Sequence, residues 1–474
     1  MKTKNNLPGR AVESSAAGDP GTKNGFFDLS IGAILEGYRA GSLDPEAVAR
    51  LCIGQVEKYE ERCQAWVCFD PDYLLEQARA SGERLAQGEP ARLLEGIPVG
   101  VKDIMNTLDF PTQMGSPIWK DFTPGNDARI VFYLRQQGAV VPGKTVTAEF
   151  AVHTLGKTLN PHDPSRTPGT SSSGSAAAIA CGMVPAALGT QTAGSIVRPA
   201  SFCGVYGCKP SFGLIPRTGM LKTTDSLDTV GFFTHHFCDL ERIFDVIRVH
   251  GSNYPLSDQA ITDPKRQEKP RGRPWRVALV KTHVWDQAHH YARESLRRWA
   301  DRIAAQDGIE VEEPELPAGM ERAHEVHATI YNKTLSYYFQ DEFRRGELVS
   351  PIMKDLMRAG ERIPNEEYMQ ALRDQERMAG SLDRFFRDFD ILVSLATAGE
   401  APPREEVERP DPALMWTMTH LPVLCAPVFT SPQGLPFGVQ LAARRYNDPL
   451  LFRFTEYLRS TALLPEGANP RIPL

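Results

Sequence analysis

Apolar and polar residues recur along the chain on two periods, and the switches between them mark out a succession of helices and short strands. Positions 29–38 and 44–62 carry apolar residues three and four apart, which is one face of a helix. The second stretch opens with Asp44 ahead of Pro45, a capping side chain followed by a ring suited to the first helical position. Residues 71–87 predict a third helix and 127–137 an amphipathic fourth. Between them, 94–105 (LEGIPVGVKDIM) is an apolar run that predicts a strand entering a loop. Later strands are predicted at 276–283, 310–316, 390–395 and 434–444. Later helices are predicted at 291–306, 322–345, within 350–385 and at 450–461, and 412–430 holds a helix and a strand. Residues 255–275 are polar, basic and proline-bearing and predict a solvated loop.

One stretch breaks this pattern. Residues 167–210 place serine and glycine clusters at 170–175 and 190–195, on either side of the alanine-rich run AAAIACGMVPAAL. Clusters of this kind are usually linkers, but a linker does not enclose a run apolar enough to be core. The run SAAAIACG has the propensity of a buried helix. Glycines 174 and 194 can present backbone N–H groups to a reacting atom, because glycine reaches dihedrals closed to other residues.

Composition narrows the classes. The chain has 474 residues, 41% hydrophobic and 24% charged, with a net charge of −6. These values suit a globular protein with a large core and give no electrostatic reason to expect nucleic acid or an anionic membrane as partner. No run approaches the length of a membrane span. Residues 1–25 lack the pattern of a secretory signal and predict a disordered polar tail. Eight cysteines form no C-x-x-C pair and sit in apolar segments, so buried thiols and a cytoplasmic location are expected.

Several motifs are weighed and set aside. Residues 138–145 satisfy G-x-x-x-x-G-K-T, but a helix precedes them where a phosphate loop needs a strand, and Pro142 removes one cradling N–H. His162 lies between two prolines in a predicted turn, which reads as surface. His324 and His327 are three apart rather than the four of a zinc helix, so no metal is expected. The aromatics Tyr331, Tyr337, Tyr338 and Phe339 read as core.

The central stretch resembles the amidase signature family, whose usual form is GGSSGGSAA followed by GTDTGGSIRxPAAFCG. Here the two blocks read GTSSSGSAA and GTQTAGSIVRPASFCG, and GIPVGVKD at 96–103 is similar to the family's lysine segment. The resemblance runs from about residue 26 to about residue 460. It implies one α/β domain over 26–474, with a mixed twisted central sheet covered by helices on both faces and a variable substrate-pocket region at about 320–390. It implies Ser195 as nucleophile, Ser171 as bridging serine 24 residues earlier with a cis peptide beside it, and Lys102 as base. The oxyanion hole falls to the backbone of Thr192, Ala193, Gly194 and Ser195. Ser172, Asp228 and Gln191 are placed near the substrate, and Asp228 reads equally as a turn cap. No cofactor is implied. The activity implied is hydrolysis of a small-molecule amide, or glutamine hydrolysis within a tRNA-dependent amidotransferase, and a homodimer is left open.

Gln191 and Ala193 stand where the family has Asp and Gly, Thr170 and Ser173 each replace a glycine, and Arg198 is displaced by one position. A Cβ at 193 fits beside an oxyanion hole only if its φ is negative.

Overall fold

Side chains that cap helices fix where the outer elements begin. Ser30 accepts from Ala33 N at the head of helix Ile31–Ala40. Asp44 accepts from Ala47 N ahead of helix Pro45–Cys63, with Pro45 in the first turn. Asp70 does the same for helix Pro71–Ala86. Each satisfies a backbone donor that the first helical turn leaves open.

The computed structural model describes residues 25–269 and 272–468. Of the predicted tail at 1–25, only Gly25 lies within the described residues. Eleven strands form one sheet: β1 (Trp66–Phe69), β2 (Val99–Lys102), β3 (Gly143–Thr145), β4 (Ala186–Gln191), β5 (Tyr206–Lys209), β6 (Thr229–Thr234), β7 (Trp275–Leu279), β8 (Ile309–Glu312), β9 (Ile391–Leu395), β10 (Val423–Thr430) and β11 (Pro436–Ala443). Their order is β1-β3-β2-β4-β6-β5-β10-β11-β9-β7-β8. The runs β3-β2-β4 and β9-β7-β8 are parallel and the other neighbours antiparallel. One hydrophobic core runs from Phe26 to Ala468, so this is a single α/β domain with a mixed sheet flanked by helices.

Strands β2, β4, β5 and β6 are buried at every position, as strands covered on both faces are. The alanine-rich helix, Ser173–Ala180, is buried all round and packs on strands β3, β2, β4 and β6. Its approach depends on Gly174. A Cβ there would lie 2.3 Å from Ala65 O and 2.3 Å from Val146 N, and Gly174 N donates to Val146 O at 3.1 Å. Gly174 is thus a packing residue whose N–H is already used, not a donor free for a reacting atom.

The structure departs from the sequence reading elsewhere. The strand expected over 94–105 is only β2, because Gly96 turns the chain at φ 65. The loop expected at 255–275 holds helices Pro255–Thr262 and Pro264–Gln267. Buried Gln267 ties them down by donating to Ala260 O and Tyr446 O. His162 is buried rather than superficial, with its Nε2 2.9 Å from Cys203 O. Lys144, from the phosphate-loop-like motif, lies within β3 and pairs with buried Asp103. Six thiols are buried, but Cys68 is half-buried and Cys238 exposed. Among the described residues no helix is long and apolar enough to cross a membrane.

Candidate active site

Strands β2 and β4 are parallel neighbours, and their C-terminal halves carry the predicted chemistry. Lys102 closes β2 with its side chain fully buried. Its Nζ lies 2.8 Å from Ser171 Oγ, 3.0 Å from Ser172 Oγ and 2.8 Å from Thr190 Oγ1. Thr190 is on β4, and Ser171 and Ser172 form the short 3-10 turn ahead of the alanine-rich helix.

Two buried lysines on adjacent strands therefore meet opposite environments. Lys144 keeps the carboxylate of Asp103 at 3.3 Å, whereas the hydrogen-bond partners of Lys102 are all neutral hydroxyls. Burial drives the Lys102 ammonium well below its usual pKa, with Arg198 adding to the effect and Asp228 opposing it. Ser172 donates its own hydrogen to Thr190 O at 3.2 Å, so it can only accept from Lys102. Among the described residues Ser171 Oγ has no acceptor of this kind.

The turn at Ser171 is built without the cis peptide that the resemblance implies, since no peptide among the described residues is cis. The backbone just before it is left-handed at Gly169 (φ 97) and Thr170 (φ 68).

Beyond β4 come Thr192, Ala193, Gly194 and Ser195. Among the described residues none of their four N–H groups donates to a protein acceptor. Ser195 is buried, and its hydroxyl makes no hydrogen bond to another described residue. Ala193 keeps a negative φ, so its methyl group is accommodated. Gly194 has no such room, because a Cβ would sit 1.6 Å from Asp411 Oδ2.

The departures from the family pattern have local compensation. Gln191 Oε1 accepts from Ile196 N at 2.8 Å and Val197 N at 3.0 Å, as an aspartate could. Its Nε2 also donates to Thr417 Oγ1 at 2.9 Å, which an aspartate could not do. Asp228 is the turn residue read from the sequence, and it also reaches the loop after β4. It accepts from Thr223 N and Thr224 N, closing a turn, and from Thr192 Oγ1 at 2.8 Å.

A cleft of about 820 Å³ opens beside Ala193, with Thr170, His327, Tyr331, Leu356 and Leu414 among its walls. Helices Ala323–Tyr338 and Pro351–Arg362 supply one side, from the region expected to form the pocket. Helix Asn365–Phe385 from that same region contributes instead to another cavity, of about 770 Å³. The opposite wall, residues 404–411, had no signal beyond a polar proline-containing loop. It is held by Glu408, which accepts from Thr170 Oγ1 at 2.9 Å and pairs with Arg198 at 3.0 Å. The two histidines of the zinc-like pair diverge. His324 Nδ1 meets His283 Nε2 at 2.7 Å, and His327 Nε2 meets Thr192 O at 3.0 Å.

The profile of the Amidase family matches residues 47–452. The chain belongs to that family. It is 31% identical over 460 residues to the putative amidase AmiD of Mycobacterium tuberculosis, covering 90% of this chain and 92% of that one. It is 29% identical over 465 residues to one of the subunits of the glutamyl-tRNA(Gln) amidotransferase of Chloroflexus aggregans, covering 90% and 94%. A solved structure from a vestigial protein complex, described as revealing the evolutionary origins of an s-triazine catabolic enzyme, superposes with a TM-score of 0.82 at 28% identity, over 93% of this chain and all of that one.

Proposed function

We propose that this chain hydrolyses a carboxylic amide through an acyl-enzyme on Ser195. The observation that carries the reading is a fully buried lysine whose hydrogen-bond partners are all hydroxyls, at the end of the strand beside the one that leads to Ser195. An amide carbonyl is a weak electrophile and its nitrogen a poor leaving group. The reaction therefore needs an activated nucleophile, a proton shuttle and donors for the developing oxyanion.

Neutral Lys102 takes the Ser171 proton while Ser171 takes that of Ser195. Ser195 Oγ then bonds to the carbonyl carbon, and the oxyanion enters the free N–H groups of residues 192–195. The Ser171–Ser195 hydrogen bond is not made without substrate and forms as substrate binds, since catalytic hydrogen bonds commonly tighten only in the substrate complex. Collapse breaks the C–N bond, and the leaving nitrogen receives the proton back through Ser171. Water then hydrolyses the ester by the same relay.

The cleft beside Ala193 holds more than a minimal acyl group. Leu155, Ile352, Leu356 and Leu414 on its walls favour amides with an aryl or extended alkyl acyl part. A panel of such amides, with glutamine included, tests this. Turnover of aryl or alkyl amides is expected, with Ser195→Ala reducing it about 10⁴-fold or more. Preferential turnover of glutamine, together with co-purifying partner chains, points instead to a component of an amidotransferase. Hydrolysis that survives Ser195→Ala refutes the acyl-enzyme.

A further inference from the structure

Three successive carbonyls of the loop after β4 are each gripped from outside the loop. Thr192 O accepts from His327 Nε2 at 3.0 Å, Ala193 O from Thr417 Oγ1 at 2.7 Å, and Gly194 O from Arg198 N at 2.8 Å. A peptide unit is planar and trans, so its C=O and the following N–H point in opposite directions. Fixing the carbonyls of residues 192, 193 and 194 therefore fixes the N–H groups of 193, 194 and 195. Those are N–H groups that find no acceptor among the described residues, and Ala193 lines the cleft.

Two of the grips come from distant parts of the chain. His327 lies on helix Ala323–Tyr338, whose Tyr331 and Ala328 also line the cleft. Thr417 lies on helix Leu414–Met418 and is itself fixed by Gln191 Nε2. A carbonyl can only accept, so His327 bonds as the Nε2–H form. Its burial holds the ring pKa down to about 4, so the ring is neutral near pH 7.

We propose that His327 is a positioning residue: by holding Thr192 O it aims the Ala193 N–H into the cleft and keeps the oxyanion hole formed, with Thr417 doing the same for Gly194. The inference rests on Ser195 being the nucleophile. It also gives the helix that forms the substrate wall a direct grip on the catalytic backbone. Substrate shape and oxyanion stabilisation are then linked through one element.

The test uses the full-length protein and a fluorophosphonate probe, which needs no knowledge of the natural amide. Ser195 Oγ bonds to phosphorus, the P–F bond breaks, fluoride leaves and the serine proton passes to Lys102. The phosphoryl oxygen takes the place of the oxyanion. His327→Leu is expected to slow labelling about 10²-fold, the scale of one lost oxyanion donor, at an unchanged melting temperature. His327→Gln, whose amide nitrogen reaches the same carbonyl, recovers at least about tenfold of that loss. The pH profile of labelling changes in height but not in shape, because His327 titrates below the assay range.

Labelling of His327→Leu within about threefold of wild type overturns the inference, as does failure of His327→Gln to recover any rate while both variants melt like wild type. If His327→Leu melts early, Thr417→Val against Thr417→Ser carries the test with the same thresholds. Labelling absent from the wild type, or persisting in Ser195→Ala, overturns the proposed function and this inference with it.

Discussion

Replacing Lys102 by methionine is expected to lower Ser195 labelling and amide turnover by about 10³-fold or more, the range for a lost general base, while the fold becomes more stable near neutral pH. The two effects share a cause. Lys102 is fully buried with only hydroxyls at its amine, so the folded protein disfavours the ammonium form. An amine that sheds its proton easily can accept one from serine. It also costs stability at any pH where it must be charged. Methionine has a similar volume and brings no charge, so it removes that cost along with the base.

The pH dependence has a definite sign. The Lys102 pKa is lowered in the folded state, while the unfolded chain holds its proton up to about pH 10.4. Between those limits the unfolded state binds one proton more, so stability rises with pH at about 1.4 kcal/mol per unit. Below the lowered pKa both states are protonated and the full penalty is present. Lys144 and Lys209 are also buried with lowered pKa values, Lys209 to about 8, and contribute equally in wild type and variant. Urea unfolding of both proteins across this range therefore isolates Lys102. Parallel curves for the two would show that the folded protein keeps Lys102 charged, and a charged amine cannot serve as the base.

Much of this architecture was legible because it depends on local chemistry. Asp44 and Pro45 announce their helix within four residues. The alanine run reads as a buried helix because no side chain in it needs water. Ser171, Ser195 and Lys102 were legible through motifs long enough to be specific, and the structure brings Lys102 and Ser171 within hydrogen-bond distance. What escaped depends on contacts distant in the chain. Residues 255–275 read as loop because nothing local shows that Gln267 will be buried against Tyr446. His162 looked superficial for want of Cys203. His327 drew attention as half of a failed metal motif, and Thr417 drew none. Each acquires its place only when a helix near the C-terminal half packs against the loop after β4.

Gly174→Ala is expected to destabilise the fold by at least about 3 kcal/mol, a larger cost than most single additions of a methyl group to a core. The new Cβ would meet Ala65 O and Val146 N, each at 2.3 Å. Both are backbone atoms at the β1–β3 end of the sheet, so neither can swing aside as a side-chain tip would. Relief requires the alanine-rich helix to lift, which breaks the Gly174 N to Val146 O hydrogen bond. That helix begins at the turn holding Ser171 and Ser172, so lifting it also draws both hydroxyls from Lys102. Activity and melting temperature should therefore fall together in Gly174→Ala, unlike Lys102→Met, where activity falls and stability does not. Chemical denaturation paired with Ser195 labelling reads both quantities. A Gly174→Ala protein that unfolds like wild type yet fails to label would place Gly174 in the chemistry and not in the packing.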